Sequence, residues 1–202
     1  VVDNGTGLLK AGFAGEDEPR TVFPLAINRH HDASVKQSDE DYSTCFQRPH
    51  RSRCCTPYPI ARGIFKNWDG MKEVWFRTFY NELRVEPVDR PVLLTESPMN
   101  SKENHEKMAQ IMFELFEAPA MYISIQAILS MYAAGRTTGI AVDCGHGVTQ
   151  IVPAFEGFSI PSAVMHMDLA GRDLTEQMAR LLNDRGYRVP FSWDCQDASL
   201  IK

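Results

Sequence analysis

Two segments with the same order of residue types constrain this chain more than any other feature. Each has an apolar run, an Asp-x-Gly-x-Gly turn and a second apolar run; one turn begins at Asp3 and the other at Asp143. Glycine adopts positive φ easily and lets a ligand approach the backbone closely. Amides at a tight turn can also form a concave site for anions. The duplication therefore predicts two β-hairpins that hold a polyphosphate from two sides.

The polar residues of the first copy suit the same ligand. Thr6 offers a hydroxyl, and Lys10 offers a compact positive charge for a β- or γ-phosphate. Asp3, at the end of the first strand, suits a hydrated Mg²⁺ ion, which accepts few protein ligands. Two ordinary Asx-type turns are the alternative interpretation, because short glycine motifs also occur by chance. We favour the phosphate site because the motif is present twice and the first copy adds Thr6 and Lys10.

The composition is that of a globular protein, with 202 residues, 44% hydrophobic residues and a formal net charge of -5. This length allows one large domain or two small ones. The negative net charge argues against general nucleic-acid binding. No signal peptide is visible, and the longest apolar stretch, residues 121–134, contains polar residues and is too short to span a bilayer. We therefore expect neither a nucleic-acid nor a membrane partner.

The five cysteines are scattered and include no Cys-x-x-Cys pair, which favours a reducing compartment. A zinc site is an alternative for four residues that are close in sequence: Cys45, His50, Cys54 and Cys55. Vicinal cysteines fit tetrahedral coordination poorly, so we favour a loop over about 28–57. A basic cluster at 48–53 in this segment is also typical of nuclear-localisation or nucleic-acid-binding stretches. An exposed loop is again the favoured interpretation.

Apolar periodicity and turn residues predict helices alternating with strands. Apolar residues at three- and four-residue spacing predict helices over four segments, at about 67–84, 102–117, 125–134 and 173–183. Short continuous apolar runs predict buried strands at 92–95 and 121–124. Hairpins that alternate with helices predict the α/β class with a mixed sheet.

From Val1 to about Tyr187 the chain resembles actin and the actin-related proteins. The resemblance is carried by residues 3–15, 67–69, 78–85, 107–114, 125–127, 135–139 and 168–175. Sugar kinases and heat-shock ATPases resemble the hairpins but would not share these stretches. The resemblance implies an actin-type ATPase fold, a ribonuclease H-like mixed sheet with flanking helices. It also implies a first lobe at 1–134, with an insertion at 28–57, and the start of a second lobe at 135–202, which we expect to be incomplete and to lack the adenine-side pocket.

The resemblance also implies a site for ATP or ADP with Mg²⁺ or Ca²⁺. The residues similar to the first phosphate loop are Gly5, Thr6, Gly7, Leu8 and Lys10, and those similar to the second are Gly145, Gly147, Val148 and Thr149. In the family, the hydrated cation is bound through its water molecules. The residues here that resemble those ligands are Asp3, Gln126 and Asp143. Gln126 is also the catalytic candidate, because its counterpart in the family orients the water that attacks the γ-phosphate.

The implied partners are actin-like subunits or actin-binding proteins in the cytoplasm and its cytoskeleton. Four residues here resemble part of the apolar cleft that receives partner helices in the family: Tyr132, Ala133, Gly157 and Phe158. The segment at 28–57 does not resemble the family's partner-binding loop, and Arg62 stands where the family has His. Both differences predict altered filament contacts.

The second phosphate loop departs from the family at two positions. His146 stands where the family usually has Asp, and Gln150 stands where it has the water-positioning His. His146 either changes the charge beside the phosphate–metal site or is a turn substitution that faces solvent. We expect nucleotide binding to be retained and hydrolysis to be weak at most. The alternative is a non-catalytic, truncated actin-like structural or interaction protein with weak or no nucleotide binding.

Overall fold

The computed structural model describes residues 1–25 and 58–187. The whole predicted loop at 28–57, with its cysteine-rich and basic stretches, lies outside the described residues. The chain after Tyr187 lies outside them as well.

Seven strands and two α-helices form the first part of the described chain. The strands are β1 Val2–Asn4, β2 Leu8–Ala11, β3 Thr21–Pro24, β4 Ile60–Ala61, β5 Ile64–Phe65, β6 Val92–Glu96 and β7 Met121–Ile125. The helices are α1 Trp68–Phe76 and α2 Lys102–Gln110. The side chain of Asn67 caps α1, and that of Ser101 caps α2.

Five of these strands form a mixed sheet in the order β3-β2-β1-β6-β7, which we call the first sheet. The strands β1, β2 and β3 run antiparallel, whereas β1, β6 and β7 run parallel. Parallel neighbours need a crossover connection, and α2 provides the one between β6 and β7. The carboxyl ends of β1, β6 and β7 therefore meet at one edge of the sheet. This arrangement confirms the predicted α/β class with a mixed sheet.

The two helices differ from the sequence prediction at their carboxyl ends. We predicted one continuous helix at each place, but α1 passes into a π-helix at Arg77–Leu83 and α2 into another at Ile111–Leu115. A π-turn adds about one residue per turn, and over so few turns the apolar spacing does not distinguish it from an α-helix. Arg84, with φ 54°, ends the first of these helices.

The first sheet and its helices enclose the larger hydrophobic core. Its most buried members include Leu9, Trp75, Leu94, Met108 and Met112, none of which exposes measurable side-chain surface. The one polar atom of the Trp75 ring, Nε1, donates to Asn4 Oδ1 at 3.0 Å. Burial of this ring therefore leaves no unsatisfied donor, and it fixes the residue next to Asp3.

The second part of the described chain forms a smaller sheet, which we call the second sheet. It consists of β8 Gly139–Cys144, β9 Thr149–Phe155, β10 Phe158–Ser159 and β11 Met165–Met167. The strand β9 lies in the middle, with β8 on one side and β10 and β11 end to end on the other. Two helices accompany it, α3 Gln126–Ala133 and α4 Gly171–Asp184.

A second, separate cluster of buried side chains lies between α3 and one face of the second sheet. Its members are Ala127, Ile128, Met131, Val152 and Ala154. The opposite face of this sheet is exposed, and Ile140 on it keeps 68% of its surface accessible. The division into lobes at residue 134 stays a prediction, although the buried side of α3 packs with the second sheet. None of the helices within the described ranges is long and apolar enough to cross a membrane.

Candidate functional site

Three polar side chains meet at the carboxyl edge of the parallel strands. Asp3 lies in β1, Thr95 lies near the end of β6, and Gln126 directly follows β7. This edge of an α/β sheet is the usual place for a ligand, because loops and side chains converge there. Thr95 is 92 residues after Asp3, and Gln126 is 31 residues after Thr95. Only the parallel pairing of the strands brings the three residues together.

The carboxylate of Asp3 is held by two donors. Its Oδ1 accepts from Thr95 Oγ1 at 2.7 Å and from Gln126 Nε2 at 2.8 Å. The same Thr95 oxygen accepts from the buried amide of Asn4 at 3.0 Å. The hydroxyl of Thr95 therefore fixes both the strand and its carboxylate. Sequence reasoning missed Thr95, although its place at the end of a buried apolar run beside β1 is a usable signal.

The first hairpin presents Lys10 and two amides beside this carboxylate. Lys10 is paired with Asp3 across the β1–β2 register, and its Nζ lies 3.4 Å from Asp3 Oδ2. Within residues 1–25 and 58–187, the amides of Thr6 and Gly7 donate no hydrogen bond, whereas Gly5 N donates to Asp3 O. Leu8 lies in β2 with a half-exposed side chain. In the described part of the chain, the predicted first loop therefore has two amides without an acceptor and a cation beside Asp3.

Asp143 approaches the same place from the second sheet. It lies near the end of β8 and is paired with Gln150 across the β8–β9 register. Burial raises the pKa of the Asp143 carboxyl, the negative charge of Asp3 raises it further, and the positive charge of Lys10 lowers it. Two carboxylates that share one site repel each other, and a cation relieves that repulsion.

The residues present fit a hydrated divalent cation. No group of three or more His, Cys, Asp and Glu side chains among the described residues could hold a metal ion directly. Mg²⁺ keeps most of its water and binds to one or two protein carboxylates, so Asp3 and Asp143 with the amide of Gln126 suffice for such an ion.

The turns of the two hairpins are in direct contact. A Cβ atom on Gly7 would lie 2.5 Å from His146 Cγ, and one on Gly147 would lie 2.6 Å from Thr6 Cγ2. These two glycines are thus required for the approach of one hairpin to the other. The His146 ring lies between the hairpins, and the interpretation in which it faces solvent is wrong.

The second hairpin uses its polar side chains to bind the surrounding structure. Thr149 Oγ1 donates to Leu169 O at 2.6 Å, and the buried side chain of Gln150 donates through Nε2 to Ser97 Oγ. Gly145 N donates to Val148 O at 3.0 Å. In the described ranges, the amides of Gly147 and Val148 donate to nothing, so they are this loop's candidates for phosphate oxygens.

Arg62 binds the second sheet from a turn that belongs to the first part of the chain. Its Nη1 and Nη2 form a two-bond ion pair with Asp173 at 2.7 and 2.8 Å. Nη1 also donates to Asp168 O at 2.7 Å and to Gly147 O at 3.1 Å. The Arg62 guanidinium holds the pKa of the Asp173 carboxyl well below its usual range, and the amide of Ala170 lowers it further.

The backbone of Arg62 is strained. Arg62 and Gly63 form the two-residue turn between β4 and β5, with φ of 52° and 77°. Two positive φ values are typical of the type I′ turn, in which Asn-Gly is the favoured pair. The left-handed conformation costs a residue with a Cβ about 1–2 kcal/mol. The sequence identified Arg62 as a departure but did not predict its contact with Asp173, 111 residues away.

Of the four residues similar to an apolar cleft, Tyr132 and Ala133 lie at the end of α3, and Gly157 and Phe158 lie at the β9–β10 turn of the second sheet. The hydroxyl of Tyr132 donates to Gly157 O at 3.1 Å, at the turn between β9 and β10. Phe158 follows this turn with 79% of its surface exposed, and Tyr132 is about half exposed. Both rings are accessible for contact with an apolar partner.

The comparison with protein families agrees with this architecture. A sequence model of the family described as Actin matches residues 1–197 of the chain. The match includes both hairpins, the Arg62 turn, and the helices α1 to α4. With nearly the whole chain matched, and with the mixed sheet and flanking helices in place, this protein belongs to the actin family and has an actin-type α/β fold.

Proposed function

We propose that this chain is a cytoskeletal protein of the actin type that binds ATP or ADP with Mg²⁺ or Ca²⁺ between its two hairpins. One observation carries the proposal. The carboxylate of Asp3 is fixed by Thr95 and Gln126 on the first sheet. It lies near enough to Asp143, on the second sheet, for its negative charge to raise the pKa of the Asp143 carboxyl. This pair of carboxylates, beside Lys10 and turn amides that have no acceptor among the described residues, is suited to a metal-bound polyphosphate.

The proposed role of each residue follows from the amide, ammonium or carboxylate group that it presents at the turns. The amides of Thr6, Gly7, Gly147 and Val148 would donate to phosphate oxygens from two sides, and Lys10 would neutralise a terminal phosphate. The remaining loop residues, Gly5, Leu8, Gly145 and Thr149, shape the turns. A bound divalent cation neutralises phosphate charge, and Asp3, Asp143 and Gln126 would hold it through its waters.

Hydrolysis requires a group that orients the attacking water. Gln126 is the candidate: its Nε2 already donates to Asp3, so its side-chain carbonyl remains the acceptor for a water. Gln150 is 2% exposed, so its side-chain carbonyl is not accessible to an attacking water and does not provide a second acceptor. We therefore propose that turnover is slow compared with binding.

A second candidate function is that of a non-catalytic structural or interaction protein with weak or no nucleotide binding. The contact between Gly7 and His146 supports it, because this ring already occupies space between the hairpins. In both candidates the proposed partners are actin-like subunits or actin-binding proteins, with Tyr132, Ala133, Gly157 and Phe158 as the contact surface. The proposed location is the cytoplasm and its cytoskeleton.

Thermal unfolding with and without Mg-ATP tests the binding proposal. A ligand at about 100 times its Kd stabilises the native state by about 2.7 kcal/mol, which for a chain of this size raises Tm by roughly 5–10 °C. Asp3→Ala and Lys10→Ala should abolish the rise. Lys72→Ala is the matched control, because Lys72 pairs with Asp69 on α1 and is exposed.

The outcomes separate the two candidates. No rise in Tm at millimolar Mg-ATP would rule out the nucleotide site and leave the interaction protein. A rise that survives in Lys10→Ala would show binding elsewhere. Co-sedimentation with conventional actin then measures whether the chain enters filaments, and Phe158→Ser should reduce the amount in the pellet if the exposed rings form the contact.

A further inference from the structure

We propose that Glu96 and His105 form a pH-sensitive latch that holds the segment between β6 and α2 against the second hairpin. The latch is closed while the imidazole carries a positive charge, and it loosens when that proton leaves. It is independent of the proposed nucleotide site, because neither residue belongs to the predicted phosphate loops or to the candidate ligands of the cation.

The pair joins the end of a buried strand to the start of a helix. Glu96 is the last residue of β6, and His105 is the fourth residue of α2. His105 Nε2 lies 2.7 Å from Glu96 Oε1, which is within the distance of an ion pair. Glu96 is 6% exposed, whereas the side chain of His105 is 43% exposed. One partner therefore has its charge buried, while the other remains accessible to solvent.

The buried carboxylate depends on this one partner. Glu96 Oε2 has no hydrogen-bond partner among the described residues. Burial raises the pKa of the Glu96 carboxyl, and the positive charge of His105 lowers it. A buried charge that loses its partner is strongly destabilising, because nothing else compensates for its lost hydration. Loss of the imidazole charge therefore removes the counterion that keeps this carboxylate in place.

The elements beside the pair present other groups that are either engaged elsewhere or apolar. On α2, Lys102 lies 3.6 Å from Glu106, and Glu103 bonds to the N-cap residue of the same helix. On β7, the residue paired with Glu96 is Ile125, which is apolar. The charge that α2 directs at the buried carboxylate is therefore that of the imidazole.

The segment closed by the pair also holds the second hairpin. Directly after the carboxylate, Ser97 Oγ accepts from the buried side chain of Gln150 on β9. Directly before the imidazole, Asn104 Nδ2 donates to Asn100 Oδ1 at 2.9 Å. The amide of Asn100 then donates to Ser97 O at 3.2 Å. Both ends of the segment are thus connected to the residue that binds the second hairpin, so a loosened pair weakens that contact.

Both titrating groups predict a weaker latch at higher pH. Because the pKa of Glu96 is raised in the folded chain, its contribution to stability falls as pH rises from about 4.3, the ordinary glutamate value, through the raised value. A protonated histidine stabilises a neighbouring carboxylate, and this contribution is lost as pH rises past about 6.5, the ordinary histidine value. The latch therefore loosens between about pH 6 and about pH 8.

Two substitutions fix the charge of the pair. His105→Arg keeps a positive charge throughout this pH range. Glu96→Gln removes the buried charge with little change in size. Both should abolish the pH dependence. His166→Gln is the control and should keep it, because His166 is a second imidazole, paired with Gln150 across the β9–β11 register.

Hydrogen exchange at about pH 6 and about pH 8, corrected for the intrinsic rate at each pH, measures the latch. The reporters are two bonded amides, that of Asn100 in the segment and that of Gly145 in the second hairpin. In the unmutated chain we expect protection at both amides to fall about tenfold at the higher pH, the usual effect of losing one hydrogen bond to a charged group. His105→Arg and Glu96→Gln should each show the same protection at both pH values.

The outcomes decide between the latch and other causes of pH dependence. No fall in the unmutated chain, or an equal fall in His105→Arg, would overturn the latch. A fall at Asn100 without one at Gly145 would overturn its action on the second hairpin. Loss of the pH dependence in His166→Gln would assign the effect to that imidazole instead. Far-ultraviolet circular dichroism at about pH 6 shows which variants fold, and if His105→Arg does not, Glu96→Gln decides.

Discussion

The first hairpin directs the polar groups of Asp3, Lys10 and the Thr6 turn toward a shared space, and neighbouring strands support them from behind. In the second hairpin, Thr149 binds the carbonyl of Leu169, Gln150 binds Ser97, and the carbonyl of Gly147 accepts from Arg62. The residue pattern of the two copies is the same, but Thr149 and Gln150 of the second copy bond to the surrounding structure, which leaves Asp143 as its one side chain among the proposed ligands. A repeated motif thus identifies a common hairpin geometry, while the hydrogen-bond partners of each copy decide its role.

The largest expected difference between the copies comes from the network behind Asp3. Thr95→Val removes a hydroxyl that bonds to Asp3, Gln126 and the buried Asn4 amide. We expect a loss of about 2–4 kcal/mol in the free energy of unfolding, because a buried donor and a carboxylate each lose a partner. Urea unfolding measures it. The control is Thr138→Val, just before β8, whose hydroxyl accepts one hydrogen bond from the exposed amide of Glu156, and it should cost less than about 1 kcal/mol. Similar losses for the two variants would contradict the asymmetry.

The next effect tests the structural role of the second hairpin. Gln150→Ala should lower the free energy of unfolding by about 2 kcal/mol, because it leaves a small cavity and removes the buried donor of the Ser97 hydroxyl. The rise of Tm with Mg-ATP should stay as in the unmutated chain.

Thr6→Ala should show the reverse result, with a smaller stability change and a reduced rise of Tm. If Gln150→Ala abolished the nucleotide effect, the structural role assigned to Gln150 would be wrong.

The smallest effect concerns Asp143. Burial and the charge of Asp3 raise its pKa in the folded chain, so between the unfolded and folded pKa values the native state holds more of this proton than the unfolded state. The contribution of this group to stability therefore falls as pH rises from about 4, the ordinary aspartate value, through the raised value. Asp143→Asn should flatten this dependence and, at neutral pH without divalent ions, raise the free energy of unfolding by up to about 1 kcal/mol. Thermal unfolding between pH 4 and 7 in chelating buffer measures it, and a lower stability of Asp143→Asn at pH 7 would contradict the prediction.

Much of the fold could be predicted because local patterns encode it. Asp-Gly turns between apolar runs indicated both hairpins, and three- and four-residue spacing indicated the four α-helices. The π-helical segment Arg77–Leu83 was not predictable, since its different hydrogen bonds leave almost no trace in the apolar spacing over seven residues. The helix α4 begins at Gly171 and not at 173, because Asp173 caps it from inside its first turn.

The candidate site was predictable where one segment holds the relevant residues. The motif around Asp3 contains its own lysine and two amides that donate no hydrogen bond to any described residue. Thr95 and Arg62 act through contacts with residues that are distant in sequence, and no local pattern indicates which strands or turns will meet. The role of His146 also depended on such a contact, because only the packing of Gly7 shows that the ring lies between the hairpins.

The absence of a loop between β7 and α3 has a mechanical consequence. Ile125 ends the strand and Gln126 begins the helix, so the amide that bonds to Asp3 lies at the point about which α3 can turn. The helix has eight residues and is about 12 Å long. A rotation of about 10° around its first residue would displace its far end by about 2 Å and Gln126 very little. Rotation of the second sheet with α3 as lever arm could therefore break distant contacts, such as those of Arg62, while the pair of Asp3 and Gln126 stays assembled.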